Sequence, residues 1–324
     1  MANSFNDDQL PLEDSPNELI EVLNAEQKRL KAIQGSPTER EHYTRNIAIY
    51  SKSYQSAVEY VDNLLARSAR GREPGGLWLL GEGGVGKSFI LKYIRDHYPP
   101  SESTTARRCP VICLTFSSRP TEKEVIGLML MQLGQDPSML RFQTLDELKH
   151  ILVSAIRSAD TLAILMDEAH HVWLNVNAAR VADRIGGQVG DFLKRLYDST
   201  GVAFIFCGMP GMERILMVDS QAKTRWNGIF RVAPFTYDLE FISVLASLDE
   251  SLPMIEKSNL HEPDLSAKIF KVCEGNFRIL KNFLAQAVFF AAEANSVSIA
   301  PHLSTSCSMI LGQSHNPFEG DVHE

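Results

Sequence analysis

The sequence predicts an α/β protein: a parallel sheet sandwiched by helices, followed by a small C-terminal helical lid. Three observations carry that prediction. Continuously apolar runs such as "LWLL", "LAILM" and "VAFIFC" alternate with stretches of helical period, the pattern of strands buried on both faces. A glycine-rich loop, "GEGGVGKS", separates the first of those runs from the helix after it. Beyond Leu239 only helical signals remain.

Met1 to Asp14 is polar and acidic and is expected to be loose. Ser15, Pro16 and Glu18 then form a helix-start pattern, with Leu30 and Ile33 on the apolar side. "YQSAVEYVDNLLARSA" reads as a second helix, and "GREPGG" breaks the chain before the strand "LWLLG". The alternation continues with a helix from Phe89 to Tyr98, the strand "PVICLTF", and the helices "TEKEVIGLMLMQLG" and "TLDELKHILVSAIRSA". The strand "TLAILMD", the helix "VGDFLKRLYDST" and the strand "GVAFIFCG" follow, then the helix "GMERILMV" and the short strand "IFRVAPF". Three helices close the series: "LEFISVLASLDESL", "DLSAKIFKVCEG" and "NFRILKNFLAQAVFFAAEAN". The expected division is an N-terminal acidic segment and helix (1–40), an α/β nucleotide-binding domain (41–238), a helical lid (239–300) and an acidic tail (301–324), its end "HNPFEGDVHE" disordered or partner-bound.

With 324 residues, 44% hydrophobic and 22% charged, the chain has ordinary globular composition. No apolar run approaches the length of a membrane span and Met1 is not followed by a leader pattern, so a cytoplasmic protein, nucleoid-associated when on DNA, is expected. Five cysteines without a CxxC pair read as buried thiols. The net charge of −8 argues against a surface coated for nucleic acid, but no Lys or Arg precedes Lys28 and none occurs in the last two dozen residues. The middle of the chain is therefore closer to balance and has room for a local basic groove.

"GEGGVGKS" fits G-x-x-x-x-G-K-[ST] at every fixed position, and it lies between a strand and a helix as that motif requires. Gly81, Glu82, Gly83, Gly84, Val85, Gly86, Lys87, Ser88 and Phe89 form the expected nucleotide-binding set. Backbone N–H groups at a helix start favour phosphate, Lys87 is expected to reach the terminal phosphates, and the Ser88 hydroxyl to ligate Mg²⁺. A magnesium ion needs a carboxylate as well. "LAILMDEAHH" supplies it: a buried strand ending in Asp167, expected to hold Mg²⁺ through water, and Glu168, expected to orient or deprotonate the water that attacks ATP. His170 and His171 lack a third ligand at metal spacing and read as polar neighbours.

"DEAH" also occurs in helicases, but those need a second nucleotide-facing α/β domain, and only about one more βα unit follows Asp167. The order suits an AAA+ P-loop NTPase, in which a helical lid covers the nucleotide and a neighbouring subunit completes the site. Arg278, three residues after Gly275, stands where a lid arginine reaches the γ-phosphate. Arg225 in "DSQAKTRW" is the candidate trans finger, with Arg231 a competitor and Arg180 or Arg184 weaker ones.

The chain resembles the TniB/TnsC-type AAA+ regulators of target-selecting DNA transposons. The resemblance runs from about His42 to Ile299, through "YQSAVEYVDNLLARSARGREPGGLWLLGEGGVGKS", "DEAHHVW", "GDFLKRLYDSTGVAFIFCGMPGMERIL", "DSQAKTRW", "LASLDESLPM" and "KVCEGNFRILKNFLAQAVFFAAEAN". It implies an ATPase that assembles as a ring or helical filament around double-stranded target DNA. A TniQ- or TnsD-type targeting protein, in some systems attached to a CRISPR effector, recruits it, and it then engages a DDE transposase. ATP binding would stabilise the oligomer and hydrolysis release it. One departure is "FCGMPGM", where Cys207, Gly208 and Met209 stand in place of a polar γ-phosphate sensor; Met209 hydrogen-bonds water poorly, which implies slow turnover. The expected DNA contact is "SSRPTEK", with Arg119, Thr121 and Lys123 at a helix start. An origin-recognition-like loader and a signalling NTPase without a DNA role are the competing readings.

Overall fold

Strands buried on both faces must carry apolar side chains on both, and the inner strands of the five-stranded parallel sheet in the computed structural model do so. The five strands are β1 (Gly76–Leu80), β2 (Val111–Thr115), β3 (Ala163–Asp167), β4 (Ala203–Gly208) and β5 (Gly228–Arg231), in the order β2-β3-β4-β1-β5. The structure describes residues 16–49, 51–69, 75–102, 107–140, 142–173, 186–311 and 316–319. The Ser15 helix cap, like Arg180 and Arg184, lies outside the described residues.

The longer helices are α1 (Pro16–Ile33), α2 (Pro37–Asn46), α3 (Lys52–Ala69), α4 (Lys87–His97), α5 (Glu122–Gln132), α6 (Leu145–Ser158) and α7 (Gly187–Thr200). After them come α8 (Glu213–Val218), α9 (Ser220–Arg225), α10 (Leu239–Ser251), α11 (Pro263–Cys273), α12 (Phe277–Glu293) and α13 (Leu303–Leu311). By packing, the chain divides into two units. One holds the sheet, from Tyr50 to Phe235, together with Asn276–Arg278; the other holds the segments before Tyr50, Thr236–Gly275 and the chain from Ile279 onward.

In the sheet unit, alternate residues of each strand serve opposite cores. Trp78, Leu80, Ile164, Met166, Phe204 and Phe206 face α5, α6 and α7. Leu77, Leu79, Leu165, Ile205 and Cys207 face α3 and α4. The first core is unusually aromatic. Trp78 lies 4.5 Å from Phe206 and 5.4 Å from Trp173, Phe206 lies 4.9 Å from Trp226, and Trp78 Nε1 donates to the Trp226 carbonyl at 2.8 Å. Trp173 belongs to the segment just after the acidic pair, so this cluster anchors the functional loop to the core.

In the helical unit, residues from the first fifty positions meet residues more than two hundred positions later. Arg29 donates from Nε to the Leu252 carbonyl and from Nη2 to the Met254 carbonyl, both at 2.9 Å, and Lys281 donates to the Ile47 carbonyl at 2.7 Å. α2 is too polar for its periodicity to be read from the sequence; a capping box between Ser36 and Glu39 and Pro37 at its first turn start it. Against the expectation of a disordered or partner-bound tail, Asn316–Glu319 packs on the chain itself. The Asn316 amide donates to the Ser304 carbonyl (2.9 Å) and the Ser308 hydroxyl (2.7 Å), and Phe318 stacks 5.8 Å from Phe283.

Candidate nucleotide-binding site

β1 runs straight into the glycine loop, and the loop's shape depends on missing side chains. A Cβ at Gly81 would stand 2.3 Å from the Val232 carbonyl oxygen, while the Gly81 N–H donates to the Gly208 carbonyl at 3.1 Å. At Gly83 a Cβ would meet nothing within 4 Å. Gly86, with φ 106°, starts α4 in a left-handed conformation, and no side chain caps the helix. First-turn N–H groups need acceptors from outside the helix, so this start is open to an anion.

Lys87 is 9% exposed, and its ammonium donates to the carbonyls of Gly81 and Glu82, each at 2.7 Å. That holds a buried positive charge over the loop. Ser88 is exposed on the first turn, and Val85 is buried. Phe89 packs with its ring 5.2 Å from that of Tyr54 on α3 and so supports the loop from behind.

Asp167 ends β3, in register with Thr115 of β2. Its Oδ1 accepts the Glu168 N–H at 2.9 Å, and the Ala169 N–H is fastened to the Cys207 carbonyl of β4 at 2.8 Å. Glu168 has φ 51°, a left-handed conformation that costs a non-glycine residue about 1–2 kcal/mol and that these bonds sustain. His170 Nδ1 lies 3.1 Å from Glu168 Oε2, without the angle for a hydrogen bond. Burial first, then His171, hold the His170 pKa below its ordinary value against the pull of Glu168, so the ring is neutral at pH 7. The Cys207 thiol is pushed well above its usual pKa, by burial and then by the neighbouring Asp167, and stays protonated. A Cβ at Gly208 would stand 2.2 Å from Sδ of buried Met212, so any side chain there would require Met212 to move.

Asn276–Arg278 closes over the loop from the other side. Asn276 Nδ2 donates to the Gly83 carbonyl at 2.7 Å, and the Arg278 N–H donates to the Gly84 carbonyl at 2.9 Å. The Arg278 side chain is exposed. Sequence reading singled out Arg278 and missed Asn276, whose one local signal is its place directly after Gly275.

Other candidate residues lie elsewhere. Arg225 forms a two-pronged pair with Asp198, Nε to Oδ1 at 2.9 Å and Nη2 to Oδ2 at 2.7 Å. Arg231 is exposed and pairs with Glu213. Thr121 is the N-cap of α5: its hydroxyl accepts the Glu124 N–H at 3.3 Å, and Glu124 Oε2 accepts the Thr121 N–H at 2.6 Å. Arg119 and Lys123 flank it and are exposed, with a Lys123 Nζ contact of 3.5 Å to the Gln143 carbonyl.

The loop therefore fits a polyphosphate, with an uncapped helix start, a glycine cradle and a buried lysine. Ser88 stands on the first turn of α4 and Asp167 at the tip of β3, both in the sheet unit. Strand order, loop and acidic strand tip together define an AAA+ P-loop ATPase fold. Solved structures agree. The Orc1 protein of Aeropyrum pernix in complex with DNA matches with a TM-score of 0.54 and 16% identity, over 81% of this chain and 66% of that one. Orc2 from the same organism, in ADPNP-ADP complexes, matches with a TM-score of 0.57 and 13% identity, over 81% and 68%. At such identities the likeness is one of fold, and the chain spans about two thirds of the length of these neighbours, just under that for the first. No curated protein matches the sequence. The family described as "Bacterial TniB protein" matches over residues 41–234, more than half of the chain, and the chain belongs to that family.

Proposed function

We propose that this chain is an ATP-dependent transposition regulator. It assembles with copies of itself, as a ring or helical filament, on double-stranded target DNA, and links a TniQ- or TnsD-type targeting protein, alone or with a CRISPR effector, to a DDE transposase. ATP hydrolysis is the disassembly switch. The observation that supports this most is the open start of α4, with buried Lys87 above it and the Asp167–Glu168 pair at the tip of β3 in the same unit.

Ser88 and Asp167 would hold Mg²⁺, which when bound neutralises charge on the phosphates. Glu168 orients the attacking water, and neutral His170 beside it adds no competing charge. The Arg278 side chain serves the γ-phosphate. Arg225 acts in trans only where a neighbouring subunit draws it off Asp198, which ties hydrolysis to assembly. Arg119 and Lys123 contact the DNA backbone without reading bases, while Thr121 holds the helix start that presents them. An apolar strand tip at Met209 suits slow turnover, as a switch requires.

Glu168→Gln tests the reading. The variant is expected to bind ATP and to assemble on duplex DNA, seen by electron microscopy, yet to lose hydrolysis by roughly 10²–10⁴-fold and fail to release. An unaltered hydrolysis rate refutes it.

A further inference from the structure

Phosphate binding by a glycine loop depends on which way its peptide N–H groups point, and two of those peptides are gripped from outside the loop. Asn276 Nδ2 donates to the Gly83 carbonyl at 2.7 Å, and the Arg278 N–H to the Gly84 carbonyl at 2.9 Å. The described peptides are trans, so each carbonyl points opposite to the N–H of the next residue. Drawing the Gly83 and Gly84 carbonyls toward Asn276 and Arg278 therefore turns the Gly84 and Val85 N–H groups away from them, toward the loop's interior. Asn276 Oδ1 also accepts the Arg278 N–H at 3.1 Å, so one amide locks both grips. Access is built in at both ends. A left-handed pair, Glu274 (φ 47°) and Gly275 (φ 74°), precedes Asn276, and Gly84 (φ 85°) has no Cβ, which would otherwise stand 2.5 Å from Asn276 Oδ1.

We infer that Asn276 is a positioning residue for nucleotide binding, whose side-chain amide, with the Arg278 main chain, orients the Gly84 and Val85 N–H groups that meet the phosphates. The inference rests on the nucleotide site proposed above and deepens it. It divides the segment's work: the Asn276 side chain and Arg278 backbone set affinity, and the Arg278 guanidinium sets turnover.

The test uses the full chain, a fluorescent ATP analogue for affinity, and steady-state ATPase rates on duplex DNA. Asn276→Ala and Asn276→Asp are both expected to weaken binding roughly tenfold, the loss falling on KM with kcat within about twofold. Asn276→Asp keeps shape and acceptor but has no donor for Gly83, and it serves also where Asn276→Ala melts early. Arg278→Ala, which keeps the main-chain grip, is expected to lose kcat with little change in affinity. Wild-type affinity in Asn276→Asp overturns the proposal, because packing alone then explains the residue. Lys87→Ala separates the two levels: abolished binding there with normal binding in both Asn276 variants sinks only the positioning role, whereas normal binding in Lys87→Ala sinks the nucleotide site and the proposal with it.

Discussion

Helices α4 and α5 each follow a strand of the same parallel sheet, yet they begin in opposite ways. α4 starts at Gly86 with no side-chain cap, no acid in its first turn, and Lys87 as its first residue. α5 starts at Thr121 with a complete capping box and has Glu122 and Glu124 in its first turn. Both starts carry the positive end of a helix dipole. α5 satisfies its own with protein carboxylates, and the hydrogen bonds from Thr121, backbone first, hold Glu124 below the usual carboxylate pKa. α4 leaves the same need to a ligand. A helix start is open to an anion only where the chain leaves it unfilled, so in the proposed DNA contact at α5 the side chains of Arg119 and Lys123 would have to do the work.

The comparison breaks most visibly at the glycines. Gly84→Ala would put a Cβ 2.5 Å from Asn276 Oδ1 on a backbone with φ 85°, and is expected to weaken ATP binding by roughly tenfold or more. Gly127, inside α5, has open space where its Cβ would be, so Gly127→Ala is expected to leave ATP binding unchanged and raise stability by about 0.5–1 kcal/mol. Equal effects at the two positions would erase the distinction.

Next in size is the double change Arg119→Ala with Lys123→Ala. It is expected to lower duplex affinity and reduce the slope of log affinity against log salt by about 2, without altering ATP binding. Unchanged DNA affinity with intact ATP binding would remove this face from the DNA path. The smallest effect belongs to the cap itself. Thr121→Ala should cost about 1 kcal/mol in thermal or denaturant unfolding, with DNA affinity nearly constant. A DNA loss as large as that of the double variant would show that the hydroxyl meets phosphate instead of Glu124.

Much of this was legible in the chain. The inner strands announced themselves because burial on both faces leaves no polar alternation, and the glycine loop because its spacing and its strand-to-helix context are both demanding. α2 was missed: "PTEREHYTRN" has almost no apolar period, and its one local signal is the Ser36–Glu39 capping box at its start. The pairing of Arg225 with Asp198 was not legible, since nothing in either local stretch names the other.

By itself the sequence determined the fold class, the phosphate loop and the acidic strand tip, because each is a local pattern whose residues act where they stand. Only the tertiary structure decided what surrounds them. Asn276 reaches the Gly83 carbonyl across 193 positions of chain, and Arg225 pairs with Asp198 across 27. Hydrogen bonds and close contacts depend on distances that only folding sets, and these decide which helix start remains open.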